Sequence, residues 1–538
     1  MHPSSASSLA PFAFDGVSFT HDGHPLITDL SFGAAPGQRV ALIGENGSGK
    51  STVLNLAAGR LHPQAGTVTR PAPVGVMDQH LPFDEHDTVA DVLHRSLAPI
   101  RELLTNLDDA AAAMADDERE AARYAALLDD AERVGAWTID QRVEETLAGL
   151  GLADVAQHRR VSTLSGGQRS RLALAGLLLS RPTGLLLDEP TNHLDDQALD
   201  FLARELESWP GPVLFASHDR HFLDTVATRI VDLDPAPSGL GELRVGQVTT
   251  GRYSDYLAQR ADERRSWQER FSSERQRIND LRHEVSHGAR QVFHTTAPKT
   301  EQRGSKKFYS DKASATIARR VNRARTTLER VERDQVRKPP QGLTFAGFGG
   351  RPMDHDEVLL SVQQVAVAGR LAPVSLDLRG PDRVLVTGAN GAGKSTLVAV
   401  LDGSLDPDEG RRLVRKGLRI GTLTQDTDPA DLDLTPAELL GESARGLSGI
   451  GLVAGRDQHR PLGELSLGTR KRVHLAQLVA HPPHLLVLDE PTNHLALSLA
   501  EDLERAIDEF PGAVVVASHD RWLRDRWQGR VLTLDSQA

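Results

Sequence analysis

The chain contains no cysteine, which excludes disulfide bridges, zinc sites with thiolate ligands and cysteine nucleophiles. Aromatic residues make up only 4% of the 538 residues, so we expect the hydrophobic cores to consist mainly of Leu, Val and Ala. No apolar run approaches the ~20 residues that a membrane-spanning helix requires. The N-terminal segment MHPSSASSLAPF has neither a basic start nor an apolar stretch, unlike a secretory signal. These absences favour a cytoplasmic protein that is neither embedded in a membrane nor secreted, and we expect no stable membrane partner.

Lysine is also scarce, and the charge is unevenly distributed. Nine Lys stand against 53 Arg, and five of the nine Lys lie between Lys299 and Lys338. The whole chain carries a formal net charge of −12, whereas residues 252–338 hold 22 basic and 12 acidic residues, a net charge of +10. The asymmetry predicts that this basic segment meets a polyanion. A solvated pair of charged helices is the alternative interpretation.

Two parts of the chain repeat each other. The sequence GENGSGKST at 44–52 recurs as GANGAGKST at 388–396. Likewise LLLDEPTNHL at 185–194 recurs as LVLDEPTNHL at 486–495. Repeats of this length, each containing strand and helix patterns, predict two copies of one α/β domain with a separate segment between them.

The intervals between motifs reveal an insertion in the first copy. Ser165 and Ser466 each precede the aspartate of the DEPTNHL motif by 23 residues. By contrast, 86 residues separate Gln79 from Ser165, but only 41 separate Gln425 from Ser466. The first copy therefore carries about 45 additional residues, which we place at about 93–145, where an Ala-, Leu- and Glu-rich sequence predicts a helical arm.

Each copy contains a GxxxxGK[ST] motif between an apolar strand pattern and a helix pattern. Glycines allow backbone N–H groups to converge on phosphate oxygens, and the N-terminus of the helix adds a favourable dipole. The lysine reaches the β- and γ-phosphates, and the serine that follows it binds Mg²⁺. The predicted nucleotide contacts are Gly44, Asn46, Gly47, Gly49, Lys50, Ser51 and Thr52 in the first copy, and Gly388, Asn390, Gly391, Gly393, Lys394, Ser395 and Thr396 in the second.

An apolar strand pattern ends in a pair of carboxylates in each copy, Asp188–Glu189 and Asp489–Glu490. Adjacent side chains on a strand point to opposite faces, but the chain can turn both toward the nucleotide where the strand ends. We expect the aspartate to hold Mg²⁺ through water and the glutamate to polarise the attacking water. His218 and His519 follow a further apolar strand at identical spacing, which favours a γ-phosphate contact over a purely structural role.

The sequence LSGGQ at Leu164–Gln168, together with the phosphate-binding loops, resembles the signature of the ABC ATPases. Two such domains on one chain, no membrane domain, DEPTNHL in both copies and a basic linker are similar to the ABC-F family. The resemblance covers nearly all of the chain. It implies the α/β fold class, with two P-loop ABC-type ATPase domains joined by an α-helical hairpin (coiled-coil) linker, and it implies hydrolysis of ATP with Mg²⁺.

In that family the two domains close head-to-tail on two ATP molecules, which implies two composite sites in a monomer. Site 1 would lie between the Lys50 loop and the Ser466 signature, and site 2 between the Lys394 loop and the Ser165 signature. Further ATP contacts implied by the resemblance are Gln79, Ser165, Gly166, Gly167, Gln168, Gln425, Ser466, Gly468 and His21. The implied Mg²⁺ ligands are Ser51, Gln79, Asp188, Ser395, Gln425 and Asp489.

The sequence departs from the family pattern in three places. The second signature reads LSLGT, with Leu467 and Thr469 in place of Gly and Gln. Ala496 stands where the first copy has Asp195, and the position that usually stacks on adenine is His21, a weaker stacker. These departures predict two unequal sites that both bind ATP.

We predict three domains, 1–251 for the first ATPase domain, 252–340 for the linker and 341–538 for the second ATPase domain. Within the linker, Tyr253–Val285 has the periodicity of a helix, and apolar residues from Ile317 to Val331 step by three and four, as in a coiled-coil seam.

Between these helices, 287–311 lacks a period and interleaves basic with aromatic residues, which suits unstacked bases and phosphates of irregular RNA. A helical-hairpin tip whose aromatics cover its own end is the alternative interpretation. The candidate RNA contacts are Arg290, Phe293, Lys299, Arg303, Lys306, Lys307, Phe308 and Tyr309.

The resemblance implies a ribosome-binding factor. In the ABC-F family the linker enters the bacterial 70S ribosome through the tRNA exit site, near 23S rRNA and the P-site tRNA, and approaches the peptidyl-transferase centre. We expect the subgroup that dislodges large-subunit antibiotics, with a housekeeping translation factor as the first alternative. The motor of a drug exporter with a separate membrane partner, and a DNA-linked ATPase, are alternatives from other classes.

Overall fold

The protein is described by a computed structural model. It describes residues 10–21, 23–45, 47–77, 84, 86–113, 118–192, 194–234, 236–237, 243–244, 246–293, 319–333, 348, 356–389, 391–424, 431–441, 452–453, 455–492, 495 and 497–534.

Eleven strands precede the linker in the described residues. They are β1 (Phe12–His21), β2 (His24–Ala34), β3 (Arg39–Ile43), β4 (Ala65–Thr69), β5 (Val74–Met77), β6 (Gly184–Asp188), β7 (Val213–Ala216), β8 (Arg229–Asp232), β9 (Ala236–Pro237), β10 (Leu243–Arg244) and β11 (Gln247–Thr250). A six-stranded sheet has the order β11-β8-β3-β7-β6-β5, in which only β11 is antiparallel to its neighbour. An antiparallel sheet of order β2-β1-β4 shares a hydrophobic cluster with it.

The helices of the first domain are α1 (Lys50–Ala58), α2 (Val89–Ala113), α3 (Glu118–Val134), α4 (Ile139–Gly149), α5 (Gly166–Leu179), α6 (Asp196–Glu207) and α7 (Arg220–Val226). The long pair α2 and α3 covers most of the predicted arm. Helix α2 begins four residues before Leu93, the predicted start of the arm, because Thr88 and Asp91 cap its first turn. The Thr88 N–H donates to Asp91 Oδ2 at 2.9 Å, and the Asp91 N–H donates to Thr88 Oγ1 at 3.2 Å.

The linker contains α8 (Tyr253–Phe293) and α9 (residues 319–333). The prediction that the first helix ends near Val285 was wrong, because a single glycine at 288 costs a helix only about 1 kcal/mol and its neighbours favour helix. Ion pairs from Arg282 to Glu332, at 2.8 Å, and from Arg320 to Glu284 join the two helices in antiparallel order. Ile278 and Ala324 are buried, as seam residues should be.

The second domain has the strands β12 (Val358–Val367), β13 (Leu371–Arg379), β14 (Arg383–Gly388), β15 (Glu409–Val414), β16 (Ile420–Leu423), β17 (Leu485–Asp489), β18 (Ala513–Ala517) and β19 (Arg530–Leu534). Its helices are α10 (Lys394–Asp402), α11 (Pro436–Leu440), α12 (Leu467–Ala480), α13 (Leu497–Asp508) and α14 (Arg521–Arg526). The parallel sheet has the order β16-β17-β18-β14-β19, which repeats the order β5-β6-β7-β3-β8 of the first domain. The antiparallel sheet is β13-β12-β15.

The central strands are almost wholly buried and apolar, as expected for parallel strands that are covered on both faces. This architecture confirms the predicted α/β fold class. Because β3, β7 and β6 are neighbours, the loops at their carboxyl ends meet at one edge of the sheet, and the same holds for β14, β18 and β17. None of the helices formed by the described residues combines the length and apolar character needed to cross a bilayer.

Candidate active sites

The first phosphate-binding loop connects β3 to α1 through backbone conformations that favour glycine. Gly44, Gly47 and Gly49 have φ angles of 149°, 88° and 99°. Lys50, the first residue of α1, is buried, and its Nζ donates to the carbonyl oxygens of Gly44 at 2.7 Å and Glu45 at 3.1 Å. Burial lowers the pKa of Lys50, and nearby carboxylates oppose that shift. The ammonium group therefore lies inside the loop where the motif needs it for phosphate.

The second loop, between β14 and α10, has nearly the same geometry. Gly388, Gly391 and Gly393 have φ angles of 154°, 87° and 94°. Lys394 is buried, and its Nζ donates to the carbonyl oxygens of Gly388 at 2.9 Å and Ala389 at 3.2 Å. Ser51 and Thr52, and Ser395 and Thr396, lie in the first turn of the helix after each loop. Asn46, Asn390, Gln79 and Gln425 lie outside the described residues.

In the first domain β6 ends at Asp188, and Glu189 follows in the left-handed region with φ 51°. That turn points the Glu189 carboxylate at the loop after β7. Its Oε2 accepts from the His218 N–H at 3.2 Å, and its Oε1 lies 3.3 Å from His218 Nε2. Burial raises the pKa of Glu189 to about 7, and Lys50 opposes the shift. A strained residue that also holds a desolvated carboxylate is typical of a catalytic position.

In the second domain the equivalent turn is stabilised by more hydrogen bonds. Glu490 has φ 45°, and its Oε1 accepts from the His519 N–H at 3.1 Å and lies 2.6 Å from His519 Nδ1. Its Oε2 accepts from the Ser518 hydroxyl at 3.2 Å. The bond to Glu490 raises the pKa of His519. Burial raises the pKa of Asp489, and a hydrogen bond from Ser395 opposes it.

These residues suit a bound Mg²⁺. Asp489 Oδ1 is buried without a hydrogen-bond partner, and Ser395, the serine of the Walker A loop (the GxxxxGK[ST] motif), bonds to the same carboxylate. A hydroxyl beside an acceptor oxygen is a donor set that Mg²⁺ accepts, with phosphate oxygens and water completing the octahedron. Within the described residues no group of three or more His, Asp or Glu forms a metal cluster, and a nucleotide-bound Mg²⁺ does not require one.

The two signatures cap their helices differently. Ser165 accepts from the Gln168 N–H at 3.2 Å, and Gln168 Oε1 accepts from the Ser165 N–H at 3.1 Å, a complete capping box at the start of α5. Gly166 and Gly167 form the first turn of that helix. At the start of α12, Ser466 accepts from the Thr469 N–H at 3.2 Å, and its hydroxyl also lies 2.8 Å from Thr469 Oγ1. Leu467 is 49% exposed, and Gly468 follows it in the first turn of α12.

The two ATPase domains contact each other through several side chains. Arg472 of α12 pairs with Glu45 of the first Walker A loop at 3.6 Å, which brings the second signature helix against the first loop. Arg220, only 2% exposed, pairs with Glu504 and, at 2.6 Å, with Asp520. Sequence reasoning missed these contacts, since no motif marks the residues and their partners are about 300 positions away or more.

Tyr253, the first residue of the linker helix α8, is fully buried at the same junction. Its hydroxyl donates to Glu501 Oε1 at 2.8 Å, and its ring makes an edge contact with Trp522. One turn later the Tyr256 hydroxyl donates to Asp232 Oδ2 at 2.7 Å. The linker helix is therefore attached to both ATPase domains at its base.

The predicted adenine contact His21 lies at the end of a strand, and most of the predicted RNA contacts lie outside the described residues. His21 ends β1, and the following hairpin packs on the Walker A loop, since a Cβ on Gly49 would lie 3.3 Å from Leu26. The corresponding turn of the second domain, at 368–370, contains no aromatic residue. Arg290 and Phe293 belong to α8, but their side chains are not described. Lys299, Arg303, Lys306, Lys307, Phe308 and Tyr309 lie outside the described residues.

The duplicated sheet, the two glycine-rich loops and the two serine-capped signature helices define a tandem ABC-type ATPase. The family model described as "ABC transporter" matches residues 27–192 and 371–493. The chain is 36% identical to the "Tylosin resistance ATP-binding protein TlrC" of Streptomyces fradiae over 552 residues, 99% of this chain and 98% of that protein. It is 32% identical to the "Energy-dependent translational throttle protein EttA" of Haemophilus influenzae over 94% of this chain and 88% of that protein.

Among solved structures, an "RNase-L Inhibitor" aligns with a TM-score of 0.57 at 18% identity, covering 97% of this chain and 87% of that one. An "archaeal ribosome recycling factor aABCE1" aligns with a TM-score of 0.57 at 19% identity, covering 96% and 87%. These structures support the tandem fold alone. With full-length relatives above 30% identity and two matches to the family model, the chain belongs to the ABC-F family of ABC ATPases, which bind and hydrolyse ATP.

Proposed function

We propose that the protein is an ATP-gated ribosome-associated factor of the cytoplasm that protects the large ribosomal subunit from an antibiotic. The observation that carries the proposal is the full-length similarity to a tylosin resistance protein, over 99% of this chain. The ATP-bound, closed form binds the 70S ribosome at the tRNA exit site, beside 23S rRNA and the P-site tRNA. Its linker reaches toward the peptidyl-transferase centre and dislodges the drug.

In the proposed mechanism the protein is a monomer whose domains close head-to-tail. Site 1 combines the Lys50 loop with the Ser466 signature, and site 2 combines the Lys394 loop with the Ser165 signature. The ion pair between Arg472 and Glu45 supports this pairing for site 1.

Within each site the proposed roles follow the geometry. Lys50 and Lys394 neutralise the β- and γ-phosphates, while the backbone N–H groups of the loops bind their oxygens. Glu189 and Glu490 accept the proton of the attacking water, and His218 and His519 orient these carboxylates and contact the γ-phosphate. Mg²⁺ neutralises charge on the phosphates when bound. The residues proposed to hold it are Ser51, Gln79, Asp188, Ser395, Gln425 and Asp489.

The linker supports a reach into a deep cavity. Helix α8 has 41 residues, which span about 60 Å at 1.5 Å per residue. Ion pairs between α8 and α9 stiffen the hairpin, and its base is attached to both ATPase domains through Tyr253 and Tyr256. When the two ATPase domains close, helices α8 and α9 can therefore move together as a rigid hairpin. The eight basic and aromatic candidates near its tip are proposed RNA contacts.

The similarity to translational throttle proteins favours a second candidate function, a housekeeping role in translation. Expression in a sensitive host separates the two. Resistance predicts a raised inhibitory concentration for a macrolide, lincosamide, streptogramin or pleuromutilin. Unchanged sensitivity to all four classes, with the protein expressed and bound to ribosomes, would leave the housekeeping role.

Ribosome binding itself is tested with the double variant Glu189→Gln/Glu490→Gln, which should hold ATP without hydrolysing it. We expect it to pellet with bacterial 70S ribosomes through a sucrose cushion in ATP but not in ADP. The double variant Lys50→Ala/Lys394→Ala, which should lose ATP, is the matched control. A protein that binds ATP but stays in the supernatant with ribosomes present would contradict the proposal.

A further inference from the structure

The chain contains one buried lysine outside its phosphate-binding loops and its linker. Only four of the nine lysines lie outside residues 252–338, namely Lys50, Lys394, Lys416 and Lys471. The first two belong to the Walker A loops, and Lys416 is exposed. Lys471, on α12, is only 4% exposed. Because a buried ammonium group is costly unless it is paired, a chain that otherwise uses arginine has a local reason to keep this one.

One partner of Lys471 is the residue proposed to activate water in site 2. Its Nζ donates to the backbone carbonyl oxygen of Glu490 at 2.7 Å, in a fully buried hydrogen bond. That carbonyl belongs to the strained turn with φ 45°, which aims the Glu490 carboxylate at His519. A charge-assisted bond to the carbonyl restricts rotation of the turn and so restricts the direction of the carboxylate. The same charge also acts on Asp489.

The first domain lacks this arrangement. Ser170 occupies the equivalent position, five residues after the signature serine. In the described residues the Glu189 carbonyl oxygen accepts the backbone N–H of Asn192 at 3.2 Å. A hydroxyl at position 170 cannot reach as far as a lysine and carries no charge. The additional contact therefore distinguishes the water-activating residue of the second domain from that of the first.

The next residue on α12 reaches in the other direction. Arg472 pairs with Glu45 of the first-domain Walker A loop, so two adjacent side chains of one helix contact both domains. The equivalent Arg171 donates to the carbonyl oxygens of Gly167 and Leu150 in its own domain. Ala389 stands at the position equivalent to Glu45 and carries no charge. Through Arg472 and Lys471, helix α12 therefore links Glu45 of the first Walker A loop to Glu490 of the second domain.

We propose that Lys471 is a positioning residue for Glu490, and that α12 transmits the state of the first-domain Walker A loop to hydrolysis in site 2. Helix α12 starts at the signature of site 1, and only five residues separate Ser466 from Lys471, about 7.5 Å along a helix axis. A movement of Ser466 and Arg472 as ATP binds at Lys50 would move Lys471 with them. The inference rests on the proposed role of Glu490 but not on ribosome binding.

The positioning role is tested in the Glu189→Gln background, where turnover comes from Glu490. Lys471→Ser introduces the residue of the first domain, and Lys471→Met removes the charge but keeps the length. We expect both to lower kcat for ATP about tenfold with KM within about twofold, as for loss of a charge-assisted hydrogen bond. Lys471→Arg should keep kcat within about threefold. The matched control Lys416→Ser, which removes an exposed lysine, should change neither.

Two outcomes separate the inference from its premise. If Glu490→Gln in the same background leaves turnover intact, the role of Glu490 is wrong. If Glu490→Gln abolishes turnover but the Lys471 variants keep kcat, or raise KM alone, the positioning role of Lys471 is wrong.

The transmission is tested by a double-mutant cycle between Glu45→Ala and Lys471→Ser. With Lys471 present, we expect Glu45→Ala to lower kcat at Glu490 about threefold, the size expected for loss of a partly exposed ion pair. In the Lys471→Ser protein it should have no further effect. Additive effects of the two substitutions on kcat, or no effect of Glu45→Ala in either protein, would contradict the proposal that α12 transmits the state of the first Walker A loop.

Discussion

The two ATPase domains hold the lysines of their Walker A loops alike but support their proposed catalytic carboxylates differently. The three loop glycines have φ angles that agree within 5° between domains. Around these glutamates, however, a carboxylate oxygen of Glu490 lies 2.6 Å from Nδ1 of His519, whereas one of Glu189 lies 3.3 Å from Nε2 of His218. Only Glu490 has a lysine on its carbonyl. Nucleotide binding and water activation can thus diverge separately within one duplicated fold.

The two signature sequences also differ, and that difference again favours site 2 over site 1. In the proposed head-to-tail pairing, site 2 combines Glu490, with its additional hydrogen bonds, and the complete LSGGQ capping box. Site 1 combines Glu189 with the LSLGT signature, in which the Ser466 hydroxyl lies within hydrogen-bond distance of Thr469. In this proposed pairing the less supported glutamate and the altered LSLGT signature belong to the same site, and we therefore expect site 2 to hydrolyse ATP faster.

The largest expected effect is on turnover at Glu490. Glu490→Gln should lower kcat for ATP about a thousandfold at site 2, the scale of lost general-base catalysis. Glu189→Gln should lower total turnover less than twofold, because site 1 contributes little. Steady-state phosphate release measures both, with Glu409→Gln on the exposed strand β15 as control. Equal losses from the two variants would refute the inequality.

The two arginines at equivalent positions of the domain interface, Arg220 and Arg521, should contribute unequally to the free energy of unfolding. Arg220→Ala leaves the largely but not fully buried carboxylates of Glu504 and Asp520 without their cation and should lower the free energy of unfolding by about 3 kcal/mol. The equivalent Arg521 pairs with the more exposed Asp196 and Asp200, so Arg521→Ala should cost less than about 1 kcal/mol. Denaturant titration compares them. Similar losses would show that burial does not distinguish the two contacts.

Repair of the second signature should reduce the difference between the sites. In a Glu490→Gln background, Leu467→Gly with Thr469→Gln restores the first-domain sequence and should raise the remaining turnover about tenfold, the effect of one regained hydrogen bond in the transition state. The matched control is Lys416→Ser in the same Glu490→Gln background, an exposed change that should leave the rate as it is. An unchanged rate in the first background would mean that Glu189 itself limits site 1.

The smallest effect concerns the base of the linker. Tyr253→Phe removes the hydroxyl that donates to Glu501 and should lower the free energy of unfolding by about 1 kcal/mol. Tyr256→Phe removes a similar bond, but one that joins the linker to the first domain. Only Tyr253→Phe should increase protease cleavage between the ATPase domains. Equal cleavage of both variants would argue against Tyr253 as the interdomain attachment.

The amino-acid sequence alone determined the fold class, the duplication and the family. Each rests on local order, because a Walker A motif contains its own glycines, lysine and serine within eight residues. Apolar runs likewise predict buried parallel strands wherever they occur. The helix-length prediction was less accurate, because the end of α8 depends on how the chain continues past Gly288 and not on one residue's propensity.

Only the tertiary structure decided which residues complete each site. Lys471 lies 19 positions from Glu490 in sequence, and Arg472 lies more than 400 positions from Glu45, yet each pair is in contact. Nothing local distinguishes Lys471 from a solvated lysine, or Arg220 from the other arginines of an arginine-rich chain. Their roles depend on burial against a particular partner, which exists only once the two sheets and the signature helices have packed together.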